Sequence, residues 1–333
     1  MTFNLVNDSA LKIAQFLTKL KDSYFDGIQS QSNADLSFRS LIEDTNQYNP
    51  WYTKNYMIKG LDIFIQDMIQ ISLQTKTPQV RNTFSKKIGF ISYSGRPFED
   101  LSEIVYTALL GFDCKIRVLP ENQFLLRKLL EVLELFELQI REEENFKDIQ
   151  NFVSFGKLTK TAREYFVKYN LLELPGNGTS LIITGNEANE ALKMIVESIC
   201  LFFGRSKRNI KLLFIPDNYD INRLQIYLNN FSNHLYHNRY YNNYEYRKST
   251  MLINRSKFVE LPPLLITESL QYTGYLSVIP VLRYKNKQEC ISNEIIKHYP
   301  LISNMEHVFS LADISAMKPN YATLIKFIST IRE

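Results

Sequence analysis

Short strand-like runs alternate with helix-like runs along most of this chain, and that alternation limits its fold more than any other feature. The strand-like runs are rich in β-branched and aromatic residues, and each ends near a glycine or a proline. They are "KKIGFIS" (86–92), "CKIRVL" (114–119), "FVSF" (152–155), "TSLIIT" (179–184) and "IKLLFI" (210–215). Strands and helices that alternate at this spacing predict a largely parallel sheet covered by helices. The predicted fold class is therefore α/β.

Segments with apolar residues at helical spacing lie before and between these runs. The predicted helices are 9–30, 58–74, 100–110, 122–140, 161–169 and 187–203, followed by one that Asp220 caps. The segment 122–140 is long and strongly apolar, which predicts one buried helix with the charged run "REEEN" (141–145) as its solvated end. Gly204 lies where a C-cap glycine would close the preceding helix.

The chain is long enough for two domains, and its composition is that of a globular protein. It has 333 residues, of which 45% are hydrophobic and 22% are charged. No apolar run reaches the roughly 20 residues that span a bilayer. The N-terminal segment lacks the basic start, apolar stretch and cleavage site of a signal peptide. The three cysteines are widely spaced, which argues against a disulfide framework. These features predict a cytoplasmic protein.

Residue counts and spacing argue against several kinds of site. The net charge of +4 arises from interspersed acidic and basic residues, so it does not indicate a polyanionic partner. The chain has only 11 glycines and no GxGxxG or Walker sequence, which argues against a glycine-rich phosphate cradle. His234 and His237 have the spacing of two metal ligands on a helix, but no nearby carboxylate or cysteine completes the set. No metal site is predicted.

The segment 233–254 is rich in tyrosine, with five tyrosines from Tyr236 to Tyr246 interleaved with basic residues. Aromatic and basic side chains together can stack bases and hold phosphates. The alternative is a long polar connection whose tyrosines pack on the domain surface. Because the flanks lack a basic stripe, we favour the second interpretation and expect no nucleic-acid partner.

The middle of the chain resembles a known family. Three stretches carry the resemblance: "TGNEANEALK" (184–193), "FFGRSKRNIKLLFIPDNYDINRL" (202–224) and "YHNRYYNNYEYRKSTMLIN" (236–254). Weaker similarity extends to "NPWYT" (49–53), "KKIGFISYSGRPF" (86–98), "TAREYF" (161–166) and "YATLIKFIST" (321–330). They resemble the acyl-CoA reductases typified by the fatty-acid reductase of bacterial bioluminescence, which belong to the aldehyde dehydrogenase superfamily. In that family the tyrosine-rich segment is a regular feature.

The resemblance implies an aldehyde dehydrogenase-like fold of two parallel-sheet α/β domains with an N-terminal helical segment. It implies four parts: the N-terminal helical segment 1–75, a nicotinamide-binding-like domain 76–200, a catalytic-like domain 201–310 and a C-terminal return segment 311–333. The family's reaction is the reduction of a long-chain acyl thioester to an aldehyde by NADPH. A cysteine takes up the acyl group, and backbone and asparagine donors hold the oxyanion.

The sequence departs from the family at the position of that cysteine. Lys207 stands directly before the "RNI" run that follows the nucleophile in the family. Attack by an amine would give an amide, which is far less electrophilic than a thioester and would not accept hydride. Ser206 is adjacent but has no evident general base, and Cys200 lies seven residues earlier in an apolar stretch that predicts a buried, structural thiol.

Two further departures concern the oxyanion turn and the cofactor side. Arg96 follows Gly95 where the family has an asparagine, and Gly156 is followed by Lys157 where the family has a serine. Carried over by position, the candidate residues fall into three groups. Those at the reaction centre are Lys207, Ser206 and Arg96; those for NADPH are Gly95, Gly156, Lys157, Thr161 and Glu187; those for substrate or partner are Arg205, Arg208, His237 and Tyr244.

Three departures at chemically distinct positions predict a catalytically degenerate acyl-CoA reductase homologue. Such a protein would bind an acyl-CoA, an acyl carrier protein or an active partner enzyme in fatty-acyl or polyketide-type biosynthesis. The alternative is an active NADPH-dependent acyl-CoA reductase that forms a fatty aldehyde with a nucleophile not identified here. The family resemblance also suggests oligomers, without fixing their number.

Overall fold

The computed structural model describes residues 3–27, 32–73, 86–156, 158–174, 176, 178–297, 299 and 321–331. The chain divides into two compact units. The first comprises Met1–Pro175 and Lys318–Glu333, and the second comprises Gly176–Met317. The strand at 179–182 pairs with the strand at 210–216 and so belongs to the second unit. The four parts that the sequence resemblance implies stay a prediction.

Helices account for much of both units. In chain order they are α1 (Phe3–Phe25), α2 (Asn33–Glu43), α3 (Thr45–Tyr48), α4 (Lys54–Ser72), α5 (Leu101–Leu109), α6 (Gln123–Val132), α7 (Lys160–Phe166), α8 (Asn189–Cys200), α9 (Gln225–Leu228), α10 (Asn238–Ile253), α11 (Lys287–Ser292) and α12 (Tyr321–Thr330). Among the described helices, none combines the length and the apolar character needed to cross a membrane.

In the described part of the chain, ten strands form two sheets. They are β1 (Lys87–Ser92), β2 (Asp113–Arg117), β3 (Ile140–Glu142), β4 (Asn151–Phe155), β5 (Asn170–Leu174), β6 (Thr179–Ile182), β7 (Ile210–Pro216), β8 (Val259–Leu261), β9 (Leu264–Thr267) and β10 (Val278–Tyr284). The first sheet has the order β3-β2-β1-β4-β5 and is parallel throughout. The second has the order β6-β7-β10-β9-β8, and only its edge strand β8 is antiparallel. The prediction of an α/β fold is confirmed.

Helices from both ends of the chain cover the first sheet. Helix α1 buries Val6, Ala10, Ile13, Leu17 and Leu20, which recur every three or four residues and form one stripe. Helix α12 joins the same hydrophobic core through two fully buried side chains, Leu324 and Ile328. Residues close to the C-terminus therefore complete the core of the first unit.

For two segments the sequence predicted the wrong kind of secondary structure. The apolar segment 122–140 is not one helix: α6 ends at Val132, Glu137 takes a left-handed conformation (φ 49°), and the chain then enters β3. The run "REEEN" therefore begins inside a strand that pairs with β2. The tyrosine-rich segment is not a connection but contains the 16-residue helix α10, which buries Tyr240 and Tyr244.

A close approach between β1 and β4 fixes how the centre of the first sheet packs. Gly89 is the register partner of Phe152. A Cβ atom at Gly89 would lie 2.5 Å from the Cε1 atom of Phe152. The ring cannot easily move away, because Phe166 and Tyr169 contact it edge-on with centroid distances of 4.9 and 5.1 Å.

We therefore expect Gly89→Ala to lower the free energy of unfolding by about 1–3 kcal/mol through overpacking. Urea denaturation of the purified variant measures this. In a Phe152→Leu background the same glycine substitution should cost less, because the smaller side chain leaves room for the methyl group. Equal costs in both backgrounds would show that this contact does not limit the packing.

Candidate functional site

The carboxyl ends of β1 and β4 form the first candidate site. The two strands are parallel neighbours, with Ser92 opposite Phe155 at their ends. From β1 the chain continues to β2 on one side, and β4 begins the other half of the sheet. Such a reversal of strand order opens a crevice where doubly wound folds bind ligands. Of the predicted site residues, Gly95, Arg96 and Gly156 lie in the two loops that leave these strands.

A network of hydroxyl groups around a buried carboxylate shapes the loop after β1. Ser92 and Ser94 each donate a hydrogen bond to Oδ2 of Asp100, at 2.5 and 3.0 Å. Asp100 is buried and directly precedes α5, so the network ties the strand to the start of that helix. This carboxylate is held by its own loop and does not point into an open crevice.

The guanidinium of Arg96 is held inside the protein. The side chain is 1% exposed, and its Nε lies 3.6 Å from Oε1 of Glu99, which is also buried. Its Nη1 donates a hydrogen bond to the carbonyl of Pro97 at 3.3 Å. The Tyr52 hydroxyl donates to the carbonyl oxygens of Ser94 and Arg96, each at 3.2 Å. These contacts give Arg96 a structural role in the turn, and its predicted role as an oxyanion donor stays a prediction.

Two backbone amides at this edge are occupied by carboxylates. The Gly95 amide donates to Oε2 of Glu99 at 3.0 Å, and the Leu158 amide donates to Oε1 of Glu173 at 2.9 Å. Free amides of this kind hold the pyrophosphate in dinucleotide-binding folds. A pyrophosphate would have to displace both carboxylates, so the residues present do not fit this group in the usual way.

The remaining residues predicted for the cofactor side have separate positions. Gly156 has φ +124°, which favours glycine, and a Cβ atom there would meet nothing within 4 Å. Thr161 is exposed in the first turn of α7, and Lys157 lies outside the described residues. Glu187 belongs to the second unit, where its carboxylate accepts hydrogen bonds from the Thr184 hydroxyl at 2.6 Å and the Gly185 amide at 3.0 Å. These bonds close the loop after β6.

The loop "GRSKRN" (204–209) lies at the amino end of β7. Phe202 and Phe203, which precede the loop, and Gly204, its first residue, adopt left-handed backbone angles with φ of 55°, 57° and 69°. Left-handed angles are unfavourable for residues with a Cβ atom, by roughly 1–2 kcal/mol each. The turn ends α8 at Cys200, so the helix is shorter than the predicted 187–203.

An aromatic cluster in the second unit holds that turn in place. The ring of Phe203 lies 4.6 Å from that of His234, 4.5 Å from that of His237 and 5.7 Å from that of Tyr240, measured between centroids. His237 also caps α10, because its Nδ1 accepts a hydrogen bond from the Tyr240 amide at 3.3 Å. The predicted binding residue His237 therefore links the loop to α10.

Within the loop, Ser206 and Asn209 are buried and fix the backbone. Oγ of Ser206 accepts a hydrogen bond from the Arg208 amide at 3.1 Å. Nδ2 of Asn209 donates to the carbonyl oxygens of Ser198 and Leu201, at 2.7 and 3.1 Å, and so closes the end of α8. Arg205, Lys207 and Arg208 are all partly exposed. The loop thus carries three basic side chains on a rigid base.

The space beside this loop in the second unit is small. A cavity of about 10 Å³ is lined by Phe203, Gly204, Lys211 and Tyr240, among others. That volume has room for about one water molecule and cannot hold an acyl chain. Tyr244, the last predicted binding residue, points elsewhere: its hydroxyl donates to Oε1 of Glu260 at 2.7 Å, and Lys248 donates to the same oxygen at 2.6 Å. Burial is the main cause that raises the pKa of Tyr244, and the Glu260 carboxylate raises it further.

All three cysteines of the chain are free and buried: Cys114, Cys200 and Cys290. Cys200, the nearest in sequence to Lys207, ends α8, and burial raises the pKa of its thiol strongly. Burial likewise raises the pKa of Cys290 to about 11. Since the thiolate is the nucleophile, none of the three is suited to attack a thioester. Among the described residues, no group of three or more histidine, cysteine or acidic side chains is placed to hold a metal.

Sequence reasoning missed four residues that organise these loops: Glu99, Asp100, Glu173 and Asn209. The acidic pair was visible as a polar run just after a predicted strand, at the edge where parallel sheets bind ligands. Glu173 gave no signal, because it lies on β5, which the sequence did not predict.

Accessible thiols can be counted directly. We expect no thiol of the native protein to react with Ellman's reagent on the timescale of mixing, and all three to react in denaturant, because every sulfur is buried. A Lys193→Cys variant on the exposed face of α8 provides the control and should add one fast-reacting thiol. A fast thiol in the unmodified native protein would contradict the burial.

The buried His234 predicts a loss of stability in acid. Burial, with a smaller effect of His237, lowers the pKa of His234 to about 3. In the unfolded chain the imidazole titrates near its ordinary pKa of about 6.5, so between these values the unfolded state binds the extra proton. The stability that the neutral imidazole contributes is present above pH 6.5 and is lost as the pH falls. The free energy of unfolding should therefore drop by about 2 kcal/mol from pH 7 to pH 5.

A His234→Phe variant should lose less stability over this interval, by about that amount. The phenyl ring keeps the contact with Phe203, and carboxylates that titrate in both proteins cancel in the comparison. Urea denaturation at the two pH values measures the difference. Parallel losses in both proteins would show that His234 is not held neutral.

No protein-family model matches the sequence, and no curated protein matches it either. Solved structures do match its fold. An NAD-dependent aldehyde dehydrogenase from Sinorhizobium meliloti superposes with a TM-score of 0.59 at 11% identity, covering 85% of this chain and 67% of the other. Aldehyde dehydrogenase 21 from Physcomitrella patens, in complex with the reaction product succinate, gives 0.60 at 8% identity, covering 87% and 70%.

The NAD+ complex of an aldehyde dehydrogenase from Bacillus cereus gives a TM-score of 0.57 at 12% identity, covering 87% of this chain and 69% of the other. At such low identity the likeness concerns the fold alone. The predicted membership of the acyl-CoA reductase family stays a prediction. The chain has an aldehyde dehydrogenase-like fold, as the sequence resemblance implied.

Proposed function

We propose that this protein is a catalytically degenerate relative of the acyl-CoA reductases. It binds an acyl-CoA or acyl-carrier thioester, or an active partner enzyme, in fatty-acyl or polyketide-type biosynthesis. One observation supports the proposal: every cysteine of the chain is buried, and the loop that precedes β7 carries Lys207 where the sequence resemblance would put the family's nucleophile. An enzyme of this type needs a reachable thiol to form the acyl-enzyme.

The residues that remain in the loop do not replace the thiol. Acylation of the Lys207 amine would form an amide, and an amide resists hydride transfer. The Ser206 hydroxyl is buried and accepts a hydrogen bond from the Arg208 amide, so it serves the turn. A serine nucleophile also needs a base that receives its proton. Neither side chain supports a productive acyl-enzyme.

The cofactor side supports the same conclusion. Solved structures with this fold include an NAD-dependent dehydrogenase and an NAD+ complex, so a nicotinamide cofactor is compatible with the fold. In this chain, Glu99 and Glu173 take up the Gly95 and Leu158 amides at the sheet edge. Two carboxylates where a pyrophosphate would lie disfavour it by both charge and occupancy. We therefore expect weak binding of NADPH.

What the loop retains is positive charge. Arg205, Lys207 and Arg208 fall within four residues and are partly exposed on a backbone fixed by Ser206 and Asn209. Guanidinium groups bind phosphate and carboxylate with charge-assisted hydrogen bonds. Such a loop suits the acidic surface of a carrier protein or the phosphate of a phosphopantetheine arm.

The test combines turnover and binding. The purified protein is mixed with NADPH and a panel of acyl-CoAs, and NADPH absorbance, the intact mass and thioester binding by calorimetry are followed. We expect no NADPH consumption and no acyl adduct, together with measurable binding of an acyl-CoA or of an acylated carrier protein. An Arg205→Gln/Arg208→Gln variant should weaken that binding while keeping the thermal unfolding temperature.

Lys207→Cys and the matched surface variant Lys193→Cys complete the experiment. If the loop still receives a thioester, the first variant should form an acyl adduct faster than the second. NADPH consumption by the unmodified protein would overturn the proposed loss of activity and leave the active reductase as the explanation. Absence of thioester, carrier and partner binding would overturn the binding role.

A further inference from the structure

A second cavity lies in the second unit, at the carboxyl ends of β7, β9 and β10. Its volume is about 670 Å³. Pockets for small molecules typically range over about 300–1,000 Å³, and parallel sheets bind ligands at this edge. The seven residues of β7 place it roughly 20 Å from the loop "GRSKRN", which lies at the opposite end of that strand. None of the functions proposed above uses this cavity.

The floor of the cavity is apolar. Side chains from the ends of the three strands form it, including Ile215, Ile266 and Val281, which are at most 3% exposed. Ile221, Phe258 and Val259 extend the apolar lining. Val259 is 42% exposed, so the apolar surface reaches solvent at this point. A ligand that fills this space would gain by covering hydrocarbon.

Three basic side chains line the mouth of the cavity: Arg255, Lys257 and Arg283. Arg283 is paired, since its Nε lies 2.8 Å from Oε1 of Glu268 and its Nη1 donates to the Asp217 carbonyl at 2.7 Å. Arg255 and Lys257 are exposed, and neither side chain forms an ion pair with another residue in the described part of the chain. An apolar floor below two uncompensated cations matches a molecule with an apolar body and an anionic end.

Arg255 occupies a backbone position that ordinarily belongs to glycine. Helix α10 ends with the Ser256 amide donating to the Met251 carbonyl at 2.9 Å and the Arg255 amide donating to the Leu252 carbonyl at 3.1 Å. This is the Schellman pattern, whose left-handed residue is usually glycine. Here it is Arg255, with φ 53°. Strained positions of this kind cluster where a side chain serves a function.

We propose that this cavity is a binding site for an anionic amphiphile. The aliphatic part would lie on Ile215, Ile266 and Val281, and the carboxylate or phosphate would lie between Arg255 and Lys257. This site is separate from the loop on which the proposed function depends. The proposal of an amphiphile site can therefore hold or fail independently of that function.

Decanoate, decyl phosphate and decanoyl-CoA serve as probes, with decanol and inorganic phosphate as controls, and calorimetry measures binding to the full chain. We expect an acyl or alkyl anion to bind at least tenfold more tightly than decanol, and inorganic phosphate to bind no more tightly than decanol. The probe that binds best distinguishes a carboxylate, a phosphate and a coenzyme A thioester as the source of the charge. Equal affinities for decanol and the charged chains would overturn the proposal.

Arg255→Gly is the decisive variant, because glycine suits the left-handed position. We expect its thermal unfolding temperature to be equal or higher and its affinity for the anion to fall at least fivefold. Arg255→Gly/Lys257→Gln should abolish the preference over decanol. Lys193→Gln/Lys287→Gln removes the same number of exposed charges elsewhere in the unit and should leave binding unchanged. Unchanged binding in the first two variants, or an equal loss in the control, would place the anion elsewhere.

Discussion

Each unit depends on parallel strands that are paired on both sides. In the first unit, β1 lies between β2 and β4; in the second, β7 lies between β6 and β10. Parallel neighbouring strands require crossover connections. These connections place helices on both faces of the sheet, so that both faces are buried. The positions of both candidate loops follow from this arrangement. The "YSGRPF" loop leaves the carboxyl end of β1, and the "GRSKRN" loop enters the amino end of β7.

At both loops, polar groups that could serve a reaction instead hold the backbone. Asp100 accepts hydrogen bonds from Ser92 and Ser94, and Arg96 is paired with Glu99. The Ser206 hydroxyl oxygen accepts a hydrogen bond from the Arg208 amide in its own turn. Buried polar groups are costly unless they are paired, so these bonds stabilise the loops as they stand. A cysteine introduced at position 207 would enter a loop in which Ser206 and Asn209 already form hydrogen bonds.

The strongly apolar strands were predictable from the sequence. A strand that is buried on both faces is a continuous run of apolar residues, which can be recognised without an alternating pattern. Sequence reasoning missed β3, β5 and the strands after residue 254, which are short or lie at edges and so carry weaker signals. The helix α10 was missed because its tyrosines and asparagines have low helix propensity. The burial of Tyr240 and Tyr244 in the fold outweighs that unfavourable propensity. The residues of the "GRSKRN" loop were found by resemblance. The bonds that Glu99 and Glu173 make were not predictable, since each joins groups that only the fold brings together.

The left-handed turn at Phe202 and Phe203 also bears on α10. Phe203 stands among His234, His237 and Tyr240 at the start of that helix, and Arg255 follows its end. A 16-residue helix is about 24 Å long and is stiff along its axis. A displacement of the Phe203 ring that moved the first residues of α10 would therefore be carried along the helix towards Arg255. The "GRSKRN" loop and the cavity lie at opposite edges of one sheet and both adjoin α10, so any free energy of coupling between them would be reciprocal.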